Sequence, residues 1–185
     1  MVRMLPGDPD FATTQADIDS MIRVNHAGEY GARRIYQGQL AVLGGDPKTK
    51  ELLEHMAEQE EHHLKYFEDQ IVERRIRPTV FHPVWHVAGY ALGYITAKMG
   101  RRAAMACTVA VEEVISGHYQ EQLDALDGDE TEKNLRQKIA QFKAEEEEHH
   151  DIGLENEAEL TKGYDILSGI IKAGSKAAIA IAKRF

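Results

Sequence analysis

The sequence predicts an all-α protein built around four long helices. Three observations carry this. Only 5 of the 185 residues are proline. Apolar residues recur at alternating steps of three and four over long stretches. Gly, Asp and Pro cluster at a few points between those stretches, where helices stop and start.

The elements follow in order. Residues 1–16 are expected to form a flexible N-terminal tail, and 17–185 one folded unit, because a chain this long builds one sizeable core rather than two. The first long helix is expected from Asp17–Ser20 to about Leu43, with Ile18, Ile22, Ala32, Tyr36, Leu40 and Leu43 in helical register. Gly44-Gly45-Asp46-Pro47 ends it, and Pro47 suits the first turn of the next helix. That second helix is expected over Lys48 to Arg75, with Leu52, Leu53, Met56, Phe67 and Ile71 inward. A third runs from about Arg101 to Leu126 and is closed by Asp127-Gly128-Asp129. A fourth is expected over Thr131 to Leu160. Between the second and third lies an apolar crossover, 77–100, expected either to pack on the bundle, for which Gly89 and Gly93 are spaced, or to lie in a membrane interface. An apolar C-terminal helix with a basic end, 164–185, completes the chain. Two helices, one long connection and two more helices make the ferritin-like form of the four-helix bundle.

The chain repeats itself. Glu29 and Glu112 are each followed seven residues on by Tyr-Gln-x-Gln-Leu, beginning at Tyr36 and Tyr119. Downstream, Glu60 and His63 recur as Glu146 and His149. Residues three apart share a helical face, so each Glu-x-x-His pair can reach one metal ion, and a lone Glu from each of the other two helices completes the site. The set is therefore Glu29, Glu60, His63, Glu112, Glu146 and His149. Phase decides the ambiguous run Glu145 to Glu148: Leu135, Ile139, Phe142, Glu146, His149 and Gly153 keep the inward seam, which leaves Glu147 and His150 off it. The same argument prefers Glu112 to Glu113, and His62 and His150 are read as outward or as supports behind the ligands.

Glu-rich runs are usually solvated helix faces. Here two copies stand in phase with apolar stripes, and that reverses the reading. Carboxylate and imidazole donors without thiolate suit iron or manganese rather than structural zinc. Four glutamates balance two divalent ions, so a buried centre is neutral. Asp151 and the paired tyrosines Tyr36 and Tyr119 are candidates for orienting the metal-bound imidazoles. His26 and His118 are candidates for the substrate entrance or, equally, for structural roles. Cys107 reads as a small core residue.

Charge bounds the partners. A net charge of −9 argues against nucleic acid. The segment 164–185 goes against that trend, with Lys172, Lys176, Lys183 and Arg184 against Asp165. A basic, apolar helix in an acidic protein suggests an anionic membrane surface. The N-terminus has neither an apolar targeting core nor an Arg-rich amphipathic stretch. No Gly-rich dinucleotide motif is visible, so a dedicated flavin or nicotinamide domain is not expected.

The stretches RVNHAGEYGA (23–32), AMACTVAVEE (104–113) and EEEHHDIG (146–153), with Arg77-Pro78-Thr79 and the Gly-Tyr-Ala-Leu-Gly run at 89–93, closely resemble the demethoxyubiquinone hydroxylases of ubiquinone biosynthesis. The resemblance covers nearly the whole chain from Ile18. It implies an O2-dependent monooxygenase with two iron ions (Fe2+/Fe3+), hydroxylating the ring of a membrane-dissolved demethoxyubiquinone or its quinol. The family's ligand positions fall on the six residues chosen by phase. It implies a peripheral location on the cytoplasmic side of the cell membrane, or on the matrix side of the mitochondrial inner membrane in eukaryotic relatives. Those relatives also work with a lipid-binding protein of the same pathway. The electron donor is left open. The competing expectations are an iron-storage or ferroxidase protein of the same fold and a non-catalytic helical partner protein.

Overall fold

The computed structural model describes residues 13–185, all of whose regular structure is helical. Residues 1–12 of the expected N-terminal tail lie outside the described part. Thr13 and Thr14 are already engaged: Thr13 donates to the Ala125 carbonyl, and Thr14 caps the first helix.

Helix α1 spans Gln15–Leu43, starting two residues before the expected Asp17. Thr14 and Asp17 form a reciprocal capping box, with Asp17 N donating to Thr14 Oγ1 at 3.3 Å and Thr14 N to Asp17 Oδ2 at 3.0 Å. Such a cap contributes about 1 kcal/mol. Helix α2 spans Pro47–Arg74, capped by the Asp46 carboxylate on Thr49 N and ended by Arg75 in the left-handed region, φ 57°. Helix α3, His82–Lys98, lies within the crossover. Helix α4 spans Arg101–Ala125.

The fourth bundle helix is shorter than expected. Asp129 caps a 3₁₀ turn, Glu130–Glu132, and α5 proper spans Lys133–Glu155. The chain then reverses through Glu157, φ 66°, into a second 3₁₀ turn at Ala158–Leu160. The apolar period continues to this turn, because Ala158 is still buried, and so conceals the break. Helix α6 spans Tyr164–Ala182.

The crossover helix packs on the bundle by way of its glycines. A methyl group added to Gly93 would sit 1.9 Å from the Ile35 carbonyl oxygen of α1, and one added to Gly89 would sit 2.7 Å from that of Gly31. Gly38 of α1 is just as close to Tyr90 of α3, at 2.3 Å from its carbonyl oxygen. Side chains at these points would push the two helices apart. Helix α6 covers the neighbouring face, with Ile171 set among Ile35, Cys107 and Ala110. Its end is tied to the start of the crossover by Val80 N donating to the Phe185 carbonyl at 3.1 Å.

Two apolar layers fill the bundle. One holds Ile18, Ile22, Phe67, Leu126, Leu135 and Ile139, and the other Leu53, Met56, Met105 and Val109. Between them, on all four bundle helices, lies a buried polar layer.

Candidate metal centre

The polar layer contains the six side chains selected by repeat and phase. Glu29, Glu60, His63, Glu112, Glu146 and His149 are each at most 1% exposed. They fall into two groups whose ligand atoms all lie within 4.8 Å of one another: Glu29, Glu60, His63, Glu146, and Glu60, Glu112, Glu146, His149. Glu60 and Glu146 belong to both. The rejected alternatives face outward: Glu113, Glu147 and His62 are exposed, and His150 is half-buried.

Both imidazoles present Nδ1 to the interior. His63 Nδ1 lies 3.1 Å from Glu146 and 3.3 Å from Glu29, and His149 Nδ1 lies 3.3 Å from Glu60 and from Glu146. Five buried atoms of this layer have no hydrogen-bond partner: both oxygens of Glu60, Glu112 Oε2, Glu146 Oε2 and His149 Nδ1. A buried polar atom left unpaired costs about 1–3 kcal/mol. Five of them converging on one interior point are what a pair of cations would satisfy. Four carboxylates and two imidazoles, with no sulfur, suit iron or manganese. The residues present therefore fit a two-metal centre.

The electrostatics of the protein alone agree. Burial, then the neighbouring carboxylates, hold Glu60 and Glu112 well above the usual carboxylate range. Burial also acts to raise Glu146, but the His63 and His149 imidazoles outweigh it and pull it to about 2. Burial acts to lower His63, yet contact with Glu146 and Glu29 pushes it up to about 12. His149 is raised in the same way by Glu146 and Glu112. Glu60, Glu112 and the two imidazoles thus favour their protonated forms, and metal ions would displace those protons.

The tyrosines brace the glutamates rather than the imidazoles. Tyr36 donates to Glu112 Oε1 at 2.8 Å, and Tyr119 donates to Glu29 Oε1. Burial, then the surrounding carboxylates, raise both phenols well above their ordinary value, so both remain donors. The imidazoles are oriented by two residues that the sequence reading missed. Gln59 Oε1 lies 2.7 Å from His149 Nε2, and the Glu145 carboxylate meets His63 Nε2. Each stands one residue before a candidate ligand glutamate and reaches across to the other helix. That common position in the repeat was the signal available to find them.

Asp151, expected to orient an imidazole, does not reach one of the inward pair. It is exposed and pairs with His150 Nδ1 at 3.1 Å. A position two residues from His149 lies on about the opposite side of the helix from the seam. His26 and His118 are not in the wall of the apolar cavity described below. His26 is buried at the α1–α3 contact, stacked on His82 at 5.5 Å; burial, then the charge of His82 and Arg33, lower it to about 4. His118 is partly buried beside Glu121, and burial lowers it too.

The cavity instead lies between α1, α3, α4 and α6. It holds about 390 Å³ and is walled by groups such as Gly31, Trp85, Leu92, Ile115, Gly174 and Ile179. Gly28 and Val111, also in its wall, immediately precede Glu29 and Glu112, so it abuts the helices that carry two of the six candidate ligands.

A helical bundle whose interior presents two four-residue clusters sharing two glutamates defines a class, the bundle proteins able to hold a pair of metal ions between their helices. The family described as "Ubiquinone biosynthesis protein COQ7" matches residues 16–182, and the chain belongs to that family. It is 52% identical over 180 residues to the 3-demethoxyubiquinol 3-hydroxylase of Rhodospirillum rubrum, covering 97% of this chain and 82% of the relative. It is 50% identical over 173 residues to the human mitochondrial NADPH-dependent 3-demethoxyubiquinone 3-hydroxylase (92% and 79%). To the 5-demethoxyubiquinone hydroxylase of Saccharomyces cerevisiae it is 38% identical over 183 residues (91% and 78%).

Proposed function

We propose that this chain is a monooxygenase that hydroxylates the ring of a demethoxyubiquinol, using O2 at two irons held by the six buried ligands. The observation that carries the reading is the sharing of Glu60 and Glu146 between the two ligand clusters. Glu29 and His63 serve one position, Glu112 and His149 the other, and Glu60 and Glu146 face both. When bound, the iron pair supplies two-electron chemistry with O2. One oxygen atom enters the ring and the other leaves as water, so each turnover consumes two electrons and two protons. Reduced nicotinamide, the reductant in the mitochondrial relatives' names, is the proposed electron source.

The protein's own part is placement and exclusion of water. Tyr36 and Tyr119 fix Glu112 and Glu29, and Gln59 and Glu145 fix the two imidazoles. The apolar cavity accepts the quinol beside α1 and α4. It is walled by α3 and α6, and these helices also carry exposed Val87, Ile95, Ile166 and Ile170. No described helix is long and apolar enough to cross a membrane. These two helices would therefore rest on the membrane surface from which the lipid substrate comes.

The test is the quinone content of cells whose only copy carries Glu112→Ala. The demethoxy precursor is expected to accumulate; an unchanged quinone profile would remove the proposed activity.

A further inference from the structure

The two halves of the centre are related by an approximate twofold. Glu29 with Tyr119 mirrors Glu112 with Tyr36, and Glu60 with His63 mirrors Glu146 with His149. Even the supporting amides follow it. Asn25 and Gln122 exchange hydrogen bonds of 2.8 and 2.7 Å, while Thr108 and Gln39, the counterparts in the repeat, lie 3.5 Å apart.

The relation breaks where the imidazoles meet their outer partners. His63 Nε2 faces a carboxylate, Glu145, whereas His149 Nε2 faces an amide oxygen, Gln59. The two partners have side chains of equal length, occupy equivalent positions and reach across the same helix pair. Geometry is retained and charge is not. Glu145 is held in place by Gln141 Nε2 at 2.9 Å. An imidazole that donates to a carboxylate is a better metal donor than one that donates to a neutral amide, and an added anion one ring away favours the higher oxidation state.

We infer that Glu145 and Gln59 are positioning residues that make the two metal positions unequal. The position served by His63 and Glu29 binds its divalent ion more tightly. The position served by His149 and Glu112 fills second, empties first and is the more easily reduced. This inference rests on the two-metal reading above.

The experiment is an anaerobic titration of the metal-free full chain with ⁵⁷Fe2+, following affinity by chelator competition and environment by Mössbauer spectroscopy. Two steps are expected in the unaltered chain, separated by about tenfold or more. Glu145→Gln should shrink that ratio by weakening the first step. Gln59→Glu should shrink it by strengthening the second. In the double exchange the two steps should separate again, with the first equivalent giving the spectrum of the former second site. Both changes are isosteric at partly exposed positions, helical circular dichroism checks the fold, and either single variant suffices. A purely structural role would lower both affinities together and leave their ratio alone. Two equal steps in the unaltered chain, or a ratio that neither substitution moves, overturns this inference and spares the two-metal reading. Failure to take up any iron removes both.

Discussion

Tyr36 of α1 donates to Glu112 of α4 at 2.8 Å, and its counterpart Tyr119 of α4 donates to Glu29 of α1. Each lone glutamate is therefore held by a phenol seven residues along from its twin. Tyr36 is 1% exposed, so no water replaces it. Tyr36→Phe leaves Glu112 with neither oxygen paired, at about 1–3 kcal/mol if the carboxylate stays charged. Loss of such an outer partner typically weakens metal binding 10–100-fold. Anaerobic ferrous-ion titration of the variant should show a loss of about tenfold at one of two sites, with little change in helical content. An unchanged affinity would reduce Tyr36 to a packing residue.

The contact between α1 and α3 tolerates no side chain at Gly93. A methyl carbon there would lie 1.9 Å from the Ile35 carbonyl oxygen, and backbone cannot step aside as a flexible side chain can. Gly93→Ala should cost several kcal/mol, in the range of overpacking at a tight site. Gly31→Ala is the control. Nothing lies within 4 Å of its added methyl, and alanine favours an interior helix position by up to about 1 kcal/mol. Thermal melting of the metal-free proteins should thus fall for Gly93→Ala and hold or rise for Gly31→Ala. Equal melting temperatures would mean that α3 is not anchored this way.

The convergence of these six side chains was legible because two independent patterns coincided. The repeat named Glu29, Glu60, Glu112 and Glu146, and the apolar seam chose His149 over His150. Most helix ends were legible from local chemistry, such as Asp46 and Pro47 at the start of α2. The residues that orient the imidazoles were not. Gln59 and Glu145 stand off the inward seam on helices rich in polar residues, and only their reach across the α2–α5 seam gives them a task. Asp151 was chosen for its closeness to His149 in sequence, which on a helix is no guide to direction. The end of α5 was hidden because the reversal at Glu157 uses no glycine or proline.

His26 makes folding depend on pH. Its ordinary value of 6.5 falls to about 4 in the folded chain, from burial first and then from His82 and Arg33. The unfolded chain therefore binds the proton more readily. The contribution is complete above about pH 6.5, and stability is lost as pH falls from there towards 4. The loss across that window is on the order of 2–3 kcal/mol. His118 and His82 are lowered too, so the informative quantity is a difference. Urea unfolding of metal-free protein should show a shallower pH slope between 6.5 and 4 for His26→Gln than for the unaltered chain. Parallel slopes would mean that His26 is not held neutral by the fold.

Attachment to a membrane surface makes a prediction about α6. Ile166 and Ile170 are 71% and 67% exposed, one turn apart, on a helix that also walls the apolar cavity. Lys172 is committed to Glu113, which leaves Lys176, Lys183 and Arg184 exposed to meet anionic headgroups. Each buried methylene contributes about 0.8 kcal/mol to such binding, and each basic group near the surface about 1 kcal/mol. The pair Ile166→Glu and Ile170→Glu removes apolar area and adds repulsion, so sedimentation with phosphatidylglycerol-containing vesicles should fall at least tenfold. Melting should barely change, because neither side chain supports the core. Replacing Lys176, Lys183 and Arg184 by Gln should weaken the same binding and flatten its dependence on salt. If the double glutamate variant sediments like the unaltered chain, this face is not the membrane-binding one, and the cavity must receive its substrate by another route.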